Sequence, residues 1–227
     1  MCKQLRVEVY KLVHSGAFWG LAVLTLSLAS LLLLDSRRET ATLFLASLYN
    51  TPLLYFLTII FLAIFIGGDF SGRTLCGSLT SGCRRGALFF AKLLIAQLAA
   101  LAILVLPLLV HGACGEEWGV TGVAIVAICC GILAMNMLPC FLTMLFGDFG
   151  RALAVSLLCF GVISFLMNGD SPESGYPLSR FLPMGQLRLL AMDALPISCG
   201  AMILIDVLEV CVLSALAWLI VRRRDFR

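Results

Sequence analysis

Two acidic residues, Asp206 and Glu209, interrupt the last long apolar run of the chain. Spaced three apart, they share one face of a helix. An ionised carboxylate at the middle of a bilayer costs about 2.5–3.5 kcal/mol on the insertion scale. A lipid-facing pair is therefore disfavoured; the acids should face protein, a wet cavity or the outer interface. On a functional reading, Asp206, Glu209 and the intramembrane Asn136 line a substrate path, or the two acids relay protons. The plainer expectation is that the last helix begins late, near the outer headgroups, and leaves both acids partly wet. Asn136 with Pro139 likewise reads as a kink with local polar repair rather than a site.

Other reactive residue types give less. Glu116-Glu117 resembles a protease-type carboxylate pair, but such chemistry needs histidines or a metal at membrane depth. The chain has two histidines, His14 and His111, and the second falls in the same short outer loop as the two glutamates. The ten cysteines include no Cys-x-x-Cys pair, so no metal-ligand spacing is visible. Cys129, Cys130, Cys140, Cys159 and Cys211 sit in apolar runs, where cysteine acts as a small hydrophobe. There is no Gly-x-x-x-x-Gly-Lys-Ser/Thr phosphate loop. The chain is expected to hold no cofactor, and nothing points to nucleic acid.

These residues need a membrane frame. Of 227 residues, 61% are hydrophobic and 13% charged; soluble domains are nearer half apolar and about a quarter charged. Mean hydropathy is +1.06. Six apolar runs are long enough to span, at about 17–34, 41–66, 87–110, 120–146, 152–167 and 197–221. The expected fold is a single all-α polytopic membrane domain. Tyr49-Asn50-Thr51-Pro52 is a soft interruption of the second run. Ahead of the first, residues 2–15 carry Leu5, Val9, Leu12 and Val13 at helical spacing, with Lys3, Arg6, Glu8 and Lys11 largely elsewhere on the wheel. That pattern predicts an interfacial amphipathic helix, and no cleavage pattern for a signal peptide follows it. Residues 168–196 form a long outer loop with four prolines and an apolar centre, expected to make one or two short helices dipping into the outer leaflet or packing on the span ends.

Basic residues set the orientation. With six spans, one side holds Lys3, Arg6, Lys11, Arg73, Arg84, Arg85, Lys92, Arg151, Arg222, Arg223, Arg224 and Arg227, twelve in all. The other holds four: Arg37, Arg38, Arg180 and Arg188. Both termini are therefore expected in the cytoplasm.

The longest polar break on that basic side is residues 66–92. Gly67-Gly68 can break the second span, Asp69 or Ser71 can cap a new helix, and Gly82 can end it. Leu75 and Leu79 make an apolar ridge one turn long. Arg84, Arg85 and Lys92 then anchor the third span at the anionic inner leaflet.

This segment resembles the corresponding stretch of ABC-2 type ABC transporter permeases. The resemblance rests on Asp69-Phe70, on Gly72-Arg73-Thr74-Leu75, on Ser81-Gly82-Cys83-Arg84-Arg85 and on Phe90-Ala91-Lys92. Six spans, the amphipathic start, the long loop after span five and the basic C-terminus are also similar. Asp69 stands where glutamate is commoner, and Cys83-Arg84 where Ser-Arg is usual. The resemblance implies that residues 69–82 are a coupling helix gripping an ATPase subunit through Asp69, Arg73, Thr74, Leu75, Ser78, Leu79, Arg84 and Arg85. Lys92 would be the inner-interface anchor. It further implies two copies of a cognate ATPase carrying ATP and Mg, a second permease, and a bacterial cytoplasmic membrane. The function implied is export of an amphipathic substrate: a peptide antibiotic, a lipid-like compound or a drug. The transport subunit would have no enzymatic activity of its own. Two other classes stay open, a proton-coupled secondary transporter using Asp206 and Glu209, and a membrane assembly or immunity factor with no transport cycle.

Overall fold

Every long apolar run forms a helix, because in lipid the backbone must satisfy its own hydrogen bonds. The structure, a computed structural model, describes residues 2–36, 42–71, 85–115, 120–170, 177–193 and 197–223. Its helices are α1 (Cys2–Val13), α2 (Gly16–Ser36), α3 (Leu43–Leu62), α4 (Gly68–Ser71), α5 (Arg85–Cys114), α6 (Gly122–Phe146), α7 (Phe149–Asn168), α8 (Pro183–Ala191) and α9 (Cys199–Arg223). A π-helical turn, Ala63–Gly67, joins α3 to α4. No strand occurs among the described residues. Among the described residues, six helical stretches are long and apolar enough to cross a bilayer, the second being α3 through the π turn to Phe70. The chain is a multi-pass membrane protein.

Helices α3, α5 and α6 form the centre, with 56–61% of their spanning windows buried. Helices α2, α7 and α9 pack outside them and leave most of their apolar surface to the surroundings, as lipid contact permits. Local chemistry sets the ends. Thr42 caps α3 by accepting from Leu45 N, and Thr121 caps α6 by accepting from Ala124 N. Gly147, at φ 60°, ends α6 in the left-handed region, and Asp148 then caps α7.

Gly67-Gly68 does not break the second span. Gly68 keeps helical dihedrals (φ −58°, ψ −37°), so the chain passes through the π turn into α4, and Asp69 lies inside a helix rather than at its cap. Gly67 has a packing role instead. A Cβ there would sit 3.1 Å from Cα of Phe149, where α7 begins.

Pro139 leaves Met135 O without its i+4 amide partner. The Tyr55 hydroxyl of α3 donates to that carbonyl at 2.6 Å. Asn136 Nδ2 donates to Ile132 O at 2.8 Å, and its Oδ1 lies 2.7 Å from Thr58 Oγ1. The polar repair expected at Asn136 and Pro139 is therefore supplied partly by a neighbouring helix. Tyr55→Phe is expected to cost about 1–2 kcal/mol, measured by thermal unfolding in detergent. Pro139→Ala in the same chain should recover part of that loss by restoring the amide. A Tyr55→Phe loss that Pro139→Ala does not touch would refute this pairing.

The loop after α7 turns through residues 177–182 into α8, which starts on Pro183 and is buried except around Arg188. A Cβ on Gly185 would fall 2.3 Å from Ser179 O, so only glycine permits this contact. Helix α8 lies on α3 and α6. It marks the end of the bundle opposite α1, because the roughly 20 residues of α3 and α4 between Tyr49 and Asp69 rise about 30 Å.

Candidate functional site

Helix α1 turns two of its charged residues toward the protein. Glu8 is 3% exposed, whereas Val7, Val9, Tyr10 and Val13 face outward. Helical spacing puts Glu8 and Lys11 off the apolar positions of α1, and their partners show what they face. Lys92, from the first turns of α5, places Nζ 2.9 Å from Glu8 Oε2 and in hydrogen-bond contact with Asp69 Oδ2. Lys11 Nζ lies 3.2 Å from Glu8 Oε1 and 3.2 Å from Asp69 Oδ2. Each lysine meets both acids and each acid meets both lysines.

Two cations and two anions in mutual contact balance one another, which is what makes their burial tolerable. Lys92 is 4% exposed, and its ammonium also lies 3.8 Å from the Phe65 ring centroid, on the π turn. Its ammonium is engaged by Glu8, Asp69 and the Phe65 ring rather than by lipid headgroups, the partner expected from sequence. Asp69 is likewise committed to the ring.

The ring joins α1, α4 and α5, and so it clamps the two helices that bracket residues 72–84. Arg73, Thr74, Leu75, Ser78, Leu79 and Arg84 lie outside the described residues, as do Glu116 and Glu117. Arg85 opens α5, with Nη1 3.5 Å from Arg222 O at the end of α9. Just beyond it, Gly86 lets Trp218 approach; a Cβ there would lie 3.2 Å from the indole.

Burial works against the charged form of Lys11, but attraction and hydrogen bonding from Glu8 and Asp69 outweigh it and raise its pKa above the ordinary lysine value. A raised folded-state pKa stabilises below the unfolded value and is lost as pH climbs through the folded one. Attachment of α1 should thus hold through neutral pH and weaken only above the usual lysine range. Hydrogen exchange of α1 amides across an alkaline series checks this; loosening near neutrality would contradict it.

The intramembrane candidates do not join the ring. Asn136 is fully buried in the repair network and offers nothing to a substrate. Asp206 is 1% exposed, and neither of its carboxylate oxygens has a hydrogen-bond partner among the described residues. The expected half-wet position is therefore wrong for Asp206. Helix α9 starts at Cys199, and α6 packs along it. Gly131 of α6 makes the room: a Cβ there would lie 3.5 Å from Asp206 Oδ2. Glu209 is half-buried on the same helix.

One polar site had no signal in the sequence. His111 lies within α5, not in an outer loop, because the helix runs on to Cys114. Its Nε2 is 3.1 Å from Ser30 Oγ and its Nδ1 is 3.0 Å from Ser47 Oγ, which ties α2, α3 and α5 together. Two serines in apolar runs, separated from His111 by 81 and 64 residues, carry no spacing that could have revealed it.

No protein-family model and no curated protein matches this chain.

Proposed function

We propose that the chain is the membrane-spanning subunit of an ATP-driven exporter of the ATP-binding cassette class. It would work with a second permease and two copies of a separate ATPase. The observation that supports this reading is the buried ring of Glu8, Lys11, Asp69 and Lys92. It mounts both ends of the segment whose residues resemble a coupling helix. A handle that transmits force needs stiff roots, and charges paired in a low-dielectric interior form a stiff joint. ATP and Mg would bind on the partner, since the sequence has no phosphate loop. Leu75 and Leu79 would enter an apolar cleft on that partner with Arg73, Arg84 and Arg85 at the rim. Closure of the two ATPases would then rock the paired permeases between inward- and outward-open states. The cargo class, an amphipathic peptide, lipid-like compound or drug, follows the resemblance.

The test is co-purification with the cognate ATPase together with ATP-dependent transport in vesicles. Leu75→Asp with Leu79→Asp should abolish both while the permease still inserts. Assembly and transport that survive the double substitution would remove the coupling assignment. A second reading, proton-coupled transport, draws on the unpartnered Asp206. It expects flux that collapses with the proton gradient and needs no ATPase.

A further inference from the structure

The end of the bundle opposite the charge ring carries a cation of a different kind. Arg188 of α8 donates from Nη2 to the Tyr49 hydroxyl at 3.0 Å and from Nη1 to Asn168 Oδ1 at 3.4 Å. Its guanidinium carbon lies 5.2 Å from the Tyr49 ring centroid. All these partners are neutral, and among the described residues no carboxylate lies within ion-pair distance of it. Neutral contacts fix the plane of the guanidinium and leave its charge unspent. An arginine has five N–H donors, so three remain for a ligand. A planar fork of this kind matches a phosphate or carboxylate.

Two concavities flank Arg188. One, of about 250 Å³, includes Asp170. Asp170 Oδ2 already accepts from Leu178 N, Ser179 N and Ser179 Oγ, so that acid serves its own turn. The other, of about 230 Å³, has no acidic residue in its lining. It runs between α3 and α7 under α8, past Tyr49, Leu53, Met167 and Met184, with Arg188 and Asn168 at its polar end. Leu53 is half exposed, so the apolar side of the groove opens onto the flank of the bundle. A cation at a polar rim above an apolar wall, at the end of a spanning helix, has the layout of an amphiphile with an anionic head.

We propose that this groove binds an anionic phospholipid, with the phosphate on Arg188 and the first part of an acyl chain against Leu53 and Met184. The volume suits a headgroup and the top of one chain; the rest of the chain would lie along the outer faces of α3 and α7. By the distribution of basic residues this is the outer leaflet. The proposal does not rest on the ATPase reading.

The experiment uses the purified full chain reconstituted in nanodiscs of phosphatidylcholine with a minor fraction of phosphatidylglycerol. Lipid retained through detergent extraction is then counted by native mass spectrometry. One basic residue beside an anionic headgroup should give phosphatidylglycerol about a fivefold preference. Arg188→Gln should abolish the preference, Arg188→Lys should keep part of it, and Arg151→Gln, exposed at the start of α7, should leave it intact. Leu53→Trp, which fills the groove and leaves the cation in place, should also abolish it, so the result does not hang on one variant. Excess glycerol phosphate should not displace the lipid. Unselective retention by the wild type, full preference in Arg188→Gln, or equal loss in Arg151→Gln would each overturn the site. Displacement by glycerol phosphate would overturn the lipid assignment in favour of a free phosphate ester.

Discussion

Replacing Lys92 with methionine is expected to destabilise the protein by about 3–5 kcal/mol, the range for breaking a buried ion pair from one side. The lysine side chain is 5% exposed and that of Glu8 is 4% exposed, so water cannot replace the lost cation. Methionine keeps the unbranched stem that passes Phe65 but takes the buried cation away from Glu8 and Asp69. Lys11 is far more open, at 37% side-chain exposure, and compensates weakly. Adding Glu8→Gln removes one orphaned charge, so the double variant should be more stable than the sum of the two single losses predicts. Thermal unfolding in detergent, run as a double-mutant cycle, reads all of this. A Lys92→Met loss within about 0.5 kcal/mol, typical of surface substitutions, would mean the ring does not hold α1. Under the proposed function, the same variant should let the ATPase turn over while transport falls, because the roots of the handle have been loosened.

Asp206→Leu is expected to act in the opposite direction and stabilise by about 1–3 kcal/mol, the usual cost of an unsatisfied buried polar group. Leucine branches at the same carbon as aspartate and replaces two unpartnered oxygens with methyl groups. The site is lined by Leu187 of α8 and by Gly131. Asp206→Asn should give less, since its amide remains unpartnered. If Asp206→Leu destabilises instead, the carboxyl has a partner such as bound water or a cation. Transport separates the two functional readings. An ATP-driven exporter should keep its activity in Asp206→Leu and under a protonophore; a proton-coupled carrier should lose it in both. A protein that holds an unsatisfied acid at a stability cost and also loses transport without it would favour the second reading.

Much of the fold was legible because the controlling physics is local. A run of about 20 apolar residues must be helical in lipid whatever surrounds it. Thr42, Thr121 and Asp148 cap from within their own turns. The short helix in the long loop announced itself through Pro183 and an apolar stretch too brief to span. The candidate site was legible only in part. Asp69 and Lys92 were marked by type and place, but their partners were not. Glu8 was placed off the apolar positions of α1, but spacing on α1 alone could not show that it meets Lys92.

What the sequence determines by itself is the number of spans, their approximate limits, the amphipathic start and the side on which basic residues gather. These depend on length, composition and charge within a window. What only the tertiary structure decided is how each helix is rotated about its own axis. Spans that are apolar all round present no stripe to choose a face, so rotation is set by close packing and by hydrogen bonds between helices. That choice brings Glu8 to Lys92 across 84 residues and the Tyr55 hydroxyl to Met135 O across 80. It also turns Asp206 away from water and against Gly131.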